Sequence, residues 1–463
     1  MTHAAPQQAD LLLKAGCIVT VDAERRILKD AAIAIAGDRI AAIGPAAEIL
    51  EAWQAPRTID AGDSIVTPGL IDAHVHPIDY LIKGLCDDTP QFTRLRERVI
   101  PYEDGMSEAE AYASSLATFA EMIRYGTTSF FDAAGPHPAA IVRAAEETGL
   151  RGIVTRKIAD VPGPFGGHID DADTAIAIAD EAVERFHGAA GGRIRAGYDL
   201  DLPQVVSDRV AEHVAERAAA KGLTIVSHLI GRRPGPGEPE MERNPDVARL
   251  ERLGLLNDRI SLAHIGWLPE RDVELLAASG ANIAHCPAAS LVGGNGWAVH
   301  GVIPDLVAAG ANVVLGTDAA AISRTMDMVR IMNAACTIHK EARRDPMIMN
   351  PHHVFEMATR RSARAMGWAD GIGSLEVGKL ADIACFRTSG PHWWPEPFAN
   401  PVPDLVYSGS GQDAHLVVVG GQILMEEGVI AGLDMDRIGA LVREAAASTR
   451  TRLAMAPTGA WPG

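Results

Sequence analysis

A chain of 463 residues is too long for one small domain and ample for a barrel of about 250 residues with an accessory layer. A formal net charge of −18, with no Lys/Arg cluster interleaved with aromatics, excludes a phosphate-binding surface, so no nucleic-acid partner is expected and the acidity reads as solubility. No stretch approaches the ~20 apolar residues of a membrane span, no basic region precedes an apolar core in MTHAAPQQADLLLK, and an odd set of scattered cysteines makes no disulfide framework; the expectation is a cytoplasmic protein without a membrane partner.

From about Ala9 to Ile65, LLLKAGCIVTVD, AAIAIAGDRIAAIG and RTIDAGDSIV read as short antiparallel strands broken by Gly and Asp. SIVTPGLI reads as a buried strand, and DAHVHP at its end sets His74 and His76 two apart, facing the same way. From Thr67 to Ile372, strands alternate with helical stretches such as EAEAYASSLATFAEMIR and DADTAIAIADEAVERFHG, whose apolar residues recur at three and four; alternation of this kind implies a parallel sheet. His228 ends GLTIVSH, His264 ends RISLAH, His285 ends the strand in ANIAHCP and Asp318 ends ANVVLGTD. Polar groups at the carboxyl ends of successive apolar strands are the pattern of a (β/α)₈ barrel of the TIM type. Strand signals return in GKLADIACF and DAHLVVVGGQILMEEG, so residues 1–65 and 373–430 are expected to form a composite β-sandwich beside a barrel of residues 66–372. DRIGALVREAAASTRTRLAMA reads as an amphipathic helix within a C-terminal helix and tail, residues 431–463.

Imidazoles and a carboxylate aimed from strand ends at a common point are a metal-ligand set, because neutral His nitrogen is a preferred ligand of zinc and similar ions. The chain also resembles the amidohydrolase superfamily, in particular the branch with cytosine and guanine deaminases and atrazine and melamine hydrolases. The resemblance rests on VTPGLIDAHVHP, KGLCDDTP, YGTTSFFD, AHCPAAS, LGTDAAA and GSLEVGKLADIACF, which span nearly the whole chain. It implies one divalent ion held by His74, His76, His228 and Asp318, zinc foremost, with Fe²⁺, Co²⁺ or Mn²⁺ as alternatives. It also implies His264 near the activated water and His285 lining the pocket. The chemistry follows: a metal lowers the pKa of water towards ~7, Asp318 takes the proton and returns it to the departing nitrogen, and His264 stabilises developing charge.

Two departures bear on the substrate. Many deaminases of this branch carry a glutamate three residues after the histidine that ends the fifth strand; here that position is Gly231, and the nearest acids are Glu238 and Glu240, beyond a Pro/Gly-rich loop. RIRAGYDLDLP likewise offers Asp199 and Asp201 where many relatives place a histidine. A ring amidine needs a proton on its ring nitrogen during attack, whereas an acyl carbon needs less. This favours a hydrolase of amide, urea or carbamate bonds in small molecules, with deamination or dechlorination of a pyrimidine, purine or s-triazine as the alternative and an inactive metal-binding relative as a third reading. The acyl reading expects no carboxylate other than Asp318 within reach of a substrate nitrogen. Arg232, Arg233 and Arg324 could grip a substrate carboxylate, although exposed arginines are usually solvated. Trp297 and Trp267 are candidate pocket walls, Lys157 is assigned to packing or a salt bridge, and the Cys286 side chain is expected to point away from the site. A homo-oligomer is expected.

Overall fold

The computed structural model describes residues 5–231 and 241–456. Ten short strands form two five-stranded sheets, and every neighbouring pair is parallel. The first runs Ile194–Ala196, Arg151–Val154, Thr127–Asp132, Leu70–His76, Asp318–Ala319, and the second Tyr198–Asp199, Ile225–His228, Ile260–Ala263, Asn282–His285, Asn312–Leu315. The central strands, such as ISLA, NIAH and NVVL, are buried throughout, as expected where helices cover the outer face of a parallel sheet.

The chain steps between the two sheets twice, at Gly197 and at Gly316–Thr317. Both steps need glycine. A Cβ on Gly197 would lie 2.9 Å from the Thr224 carbonyl, and one on Gly316 would lie 2.6 Å from the His74 carbonyl.

Local signals set the helices. Glu108–Arg124 opens with a capping box, in which the Ser107 hydroxyl accepts from the Glu110 amide and the Glu110 carboxylate accepts from the Ser107 amide. Its Leu116, Phe119 and Ile123 are fully buried, and Phe119 packs on Phe130 of the neighbouring strand with ring centroids 4.5 Å apart. The helix Met435–Leu453 returns to it: Arg452 pairs with Glu110 at 2.7 Å, and the Thr449 hydroxyl donates to the same carboxylate. Among the described residues no helix is long and apolar enough to cross a membrane.

The two ends of the chain meet in one eight-stranded sheet. Arg57–Pro68 joins the halves, pairing with Leu11–Val19 on one edge and Ile383–Arg387 on the other. Its pairing with Leu11–Val19 is parallel, where the sequence pattern reads as antiparallel throughout. The reason is the connection: Ile27–Ala36, Arg39–Pro45 and the helix Ala46–Ala52 intervene, and a crossover of that length returns the chain in the same direction. Below the parallel sheets, Arg151 and Asp382 form a buried bidentate pair at 2.7 and 3.1 Å, and Asp382 also accepts from the Gly420 amide. This pair ties the terminal sheet to the strand Arg151–Val154.

Candidate active site

Asp72, His74 and His76 share one face of their strand by the two-residue period of extended chain. Asp72 is buried and anchors the site from below, accepting from the Thr317 amide at 3.0 Å, the Thr317 hydroxyl and the His74 amide at 3.3 Å. These bonds hold the turn that delivers Asp318 against the strand that delivers the two histidines. Burial outweighs the hydrogen bonds and pushes the Asp72 carboxyl up to about 7.

Five side chains converge above Asp72. The His76 Nε2 lies 3.5 Å from Asp318 Oδ1 and 3.3 Å from His228 Nε2, and the His264 Nε2 lies 3.5 Å from Asp318 Oδ2. The His74 ring stands edge-on to those of His228 and His264, with centroids 4.9 and 5.1 Å away. Strand ends alone do not achieve this. His264 and Asp318 both adopt φ of +66°, a left-handed conformation that costs a non-glycine residue about 1–3 kcal/mol and that recurs at functional sites.

The donor set suits a divalent cation. Both ring nitrogens of His74 and the Nδ1 of His76 are buried without a hydrogen-bond partner. His228 Nδ1 sits 2.9 Å from the Asp201 carbonyl, which can only accept. The proton is therefore on Nδ1, and the Nε2 lone pair is turned towards His76, the orientation by which a backbone carbonyl fixes a ligating imidazole. Burial pushes His76 and His264 down to about 3 and His74 well below its ordinary range, so all three are neutral at pH 7, as ligation requires.

A pocket opens over this floor, with His76, His228, His264 and Asp318 in its lining. Its apolar walls include Val99, Phe165, Ile230 and Trp297, whose ring centroid lies 5.4 Å from that of His264. One side is built by the helical segment 91–104, in which a π-helical turn, Leu95–Val99, separates the short helices Gln91–Arg94 and Ile100–Asp104. Such turns frequently mark functional sites. This segment presents Gln91, Arg94 and Glu103 to the pocket.

Several candidates lie where the sequence places them. His74, His76, His228, His264 and Asp318 come together, and Trp297 lines the pocket. Lys157 makes the expected salt bridge, 2.7 Å to Glu103 and 3.7 Å to Asp201, although it also lines the pocket. Cys286 is buried outside the lining, and burial pushes its thiol well up, away from nucleophilic use.

Others need correction. His285 is absent from the pocket wall: its Nε2 is turned 3.0 Å from His339 Nε2 on the helix Met328–Arg343. Arg324 pairs with Asp87 at 3.2 Å instead of facing this pocket. Trp267 lines a neighbouring depression. Arg232, Arg233, Glu238 and Glu240 lie outside the described residues. The expectation that no carboxylate but Asp318 reaches the site is overturned, because Asp79, Glu103 and Asp201 line the same pocket. Oxygens of Asp79 and Glu103 and a nitrogen of His76 lie within 4.8 Å of one another. Asp79 is buried, one of its oxygens has no hydrogen-bond partner, and burial beside Glu103 drives its carboxyl well up. Asp199 lies outside the pocket wall, buried and likewise raised.

Gly231 has a backbone explanation. A Cβ there would stand 2.0 Å from the Trp267 carbonyl oxygen, and the Trp267 amide donates to the Gly231 carbonyl at 3.3 Å. No side chain fits.

Sequence reasoning missed Arg94, Glu103 and Asp79. One signal was available for Glu103: it recurs at helical spacing with Leu95, Val99 and Tyr102, a charge on an apolar stripe.

The amidohydrolase family model matches residues 65–424. The chain is 33% identical over 444 residues, covering 94% of itself and 97% of the relative, to a 5-methylthioadenosine/S-adenosylhomocysteine deaminase of Syntrophobacter fumaroxidans. Among solved structures it superposes on an adenosine deaminase from Xanthomonas campestris with bound zinc at a TM-score of 0.86, with 26% identity and coverage of 96% of this chain and 100% of that one. An atrazine chlorohydrolase from Arthrobacter aurescens complexed with zinc superposes at 0.80, with 25% identity over 94% of this chain and 100% of that one.

Proposed function

This chain belongs to the amidohydrolase family, hydrolases of carbon–nitrogen bonds other than peptide bonds, and on that premise we propose that it removes an amino group from a ring carbon of a small nitrogen heterocycle. The observation that carries the reading is the convergence of His74, His76, His228, His264 and Asp318 with buried nitrogens left unpartnered. One divalent ion, zinc foremost, held by His74, His76, His228 and Asp318, would supply a water activated for attack at neutral pH. Asp318 would take one proton of that water and deliver it to the departing nitrogen, which leaves as ammonia; the ring carbon keeps the oxygen, and the remaining hydroxyl proton, lost as the carbonyl forms, returns to the group that protonated the ring nitrogen. The neutral His264 donates through Nε2 to the charge that builds on the ring, so Nδ1 is its bare nitrogen. The ring nitrogen draws its proton from the carboxyl groups of the wall, Asp79, Glu103 or Asp201, in place of the side chain that Gly231 cannot carry. These three groups, and the deaminase names of the relatives, are what favour ring deamination over acyl hydrolysis.

We further read the two parallel sheets as one closed (β/α)₈ barrel over residues 66–372, with Gly197 and Gly316 at its seams. The eight-stranded sheet made by the two ends of the chain is then the accessory domain, in place of the expected β-sandwich of residues 1–65 and 373–430, and Met435–Leu453 is the helix expected within 431–463. The hydrogen-bond ladders on either side of each glycine, and the superpositions, support this. Five free, buried thiols suit the cytoplasm.

The test is metal analysis of the purified protein, followed by a substrate screen read by ammonia and amine release. About one ion per chain, activity lost on chelation and restored by zinc, and ammonia from aminopurines, aminopyrimidines or aminotriazines are expected. Amine release from anilides, ureas or carbamates with none from the rings would return the acyl reading, and a metal-free protein would end both.

A further inference from the structure

Arg94 is buried at the pocket wall, with 6% of its surface exposed. Among the described residues its guanidinium makes no ion pair and no hydrogen bond. The neighbouring cations differ: Lys157 has Glu103 and Asp201, and Arg324 has Asp87. A desolvated guanidinium without a salt-bridge partner costs stability, and it persists where a ligand supplies the missing contact. The Asp318 carboxylate favours the Arg94 cation only from beyond ion-pair contact, so the place of a direct partner is open.

A second donor lies beside it. A point one carbon out from Gly293 is 3.3 Å from Arg94 Nη1 and 3.0 Å from the Asn295 side-chain amide, so the two groups lie close together, and both line the pocket. Gln91, one helical turn before Arg94, faces the same pocket. The π-helical turn that follows Arg94 lets Arg94 and Glu103 share one face of the segment. The result is a guanidinium without a contact partner beside two side-chain amides that can also donate, lining the pocket over the floor.

We propose that Arg94, with Asn295 and Gln91, binds a carboxylate group of the substrate close to the carbon that loses its amine. This rests on the ring-deamination reading and adds a demand to it: neutral aminopurine nucleosides are poor substrates, and compact acidic heterocycles are good ones. A planar fork that accepts two oxygens makes arginine the residue for the task, which lysine performs less well.

Two measurements separate this proposal from the reading beneath it. The first needs no turnover: thermal shift of the zinc-loaded protein with benzoate, and with benzamide as its neutral isostere. Wild type is expected to be stabilised by benzoate over benzamide, Arg94→Gln and Arg94→Met to lose that difference, and Arg94→Lys to keep part of it, all at unchanged metal content. The second is turnover of a matched pair, cytosine against 5-carboxycytosine. The ratio of kcat/KM for the acidic over the neutral member should fall about 10²-fold in Arg94→Gln. Equal benzoate stabilisation in wild type and Arg94→Gln, or an unchanged ratio in that pair, overturns the proposal. If no ring loses ammonia, the deaminase reading falls while the benzoate contrast still decides the role of Arg94.

Discussion

The floor and the wall of the pocket are built on different principles. The floor is five side chains at the ends of parallel strands, with Asp72 beneath holding the backbone at His74 and at the turn that delivers Asp318. One side of the wall is an irregular helical segment, 91–104, whose polar groups hang over the floor without a ladder to register them. Rigid strand ends suit groups that must meet within a fraction of an ångström, and a broken helix suits groups that sort substrates. Attack on the ring carbon therefore belongs to the floor, while the wall sorts substrates and holds the carboxyl groups proposed to protonate the ring nitrogen.

The comparison can be broken at either side. The largest effect is expected from Asp318→Asn, which should lower kcat by about 10³-fold or more with the far-UV circular dichroism intact, because metal charge balance and proton transfer share that carboxylate. His264→Ala comes next, with a loss of about 10²- to 10³-fold while metal analysis still finds the ion bound. Near-normal turnover in the alanine variant would remove His264 from the floor. For the wall, Glu103→Gln should cost about 10²-fold if Glu103 protonates the ring nitrogen. A loss confined to KM would instead make Glu103 a positioning residue for Lys157, and Asp79→Asn and Asp201→Asn in the same assay would locate the acid. The smallest effect is on stability: Gly231→Ala should lower the unfolding free energy by about 1–3 kcal/mol, measured by denaturant titration, because the new Cβ must push the Trp267 carbonyl aside. Tolerance of that change would show that the loop can accommodate the glutamate that related deaminases carry.

The same division explains what the sequence made legible. His74, His76, His228, His264 and Asp318 follow runs of Ile, Val, Leu and Ala, and a strand end sets the direction of a side chain within narrow limits. His285 follows such a run too, yet it turns to His339, because its neighbour on the outer helix offers a partner that no periodicity reveals. Arg94 was illegible for the opposite reason. In QFTRLRERVIPYED charges and apolar residues alternate closely, and only the π-helical turn decides which of Arg94, Arg96 and Arg98 faces inward. Gly231 was legible as a missing acid but not as a filled space, since the obstructing group is backbone of a distant residue, Trp267.

The strand Arg57–Pro68 has a consequence for how the chain is made. One of its edges pairs with the early strand Leu11–Val19, while the other waits for Ile383–Arg387, which emerges from the ribosome roughly 300 residues later. At about 5–20 residues per second, a nascent chain carries that bare edge for on the order of tens of seconds. Exposed strand edges recruit other strands, so slow translation and crowded polysomes are the conditions under which this protein would be expected to aggregate before it is finished. A chaperone that shields the edge through that interval would raise the yield of active enzyme without altering the folded molecule.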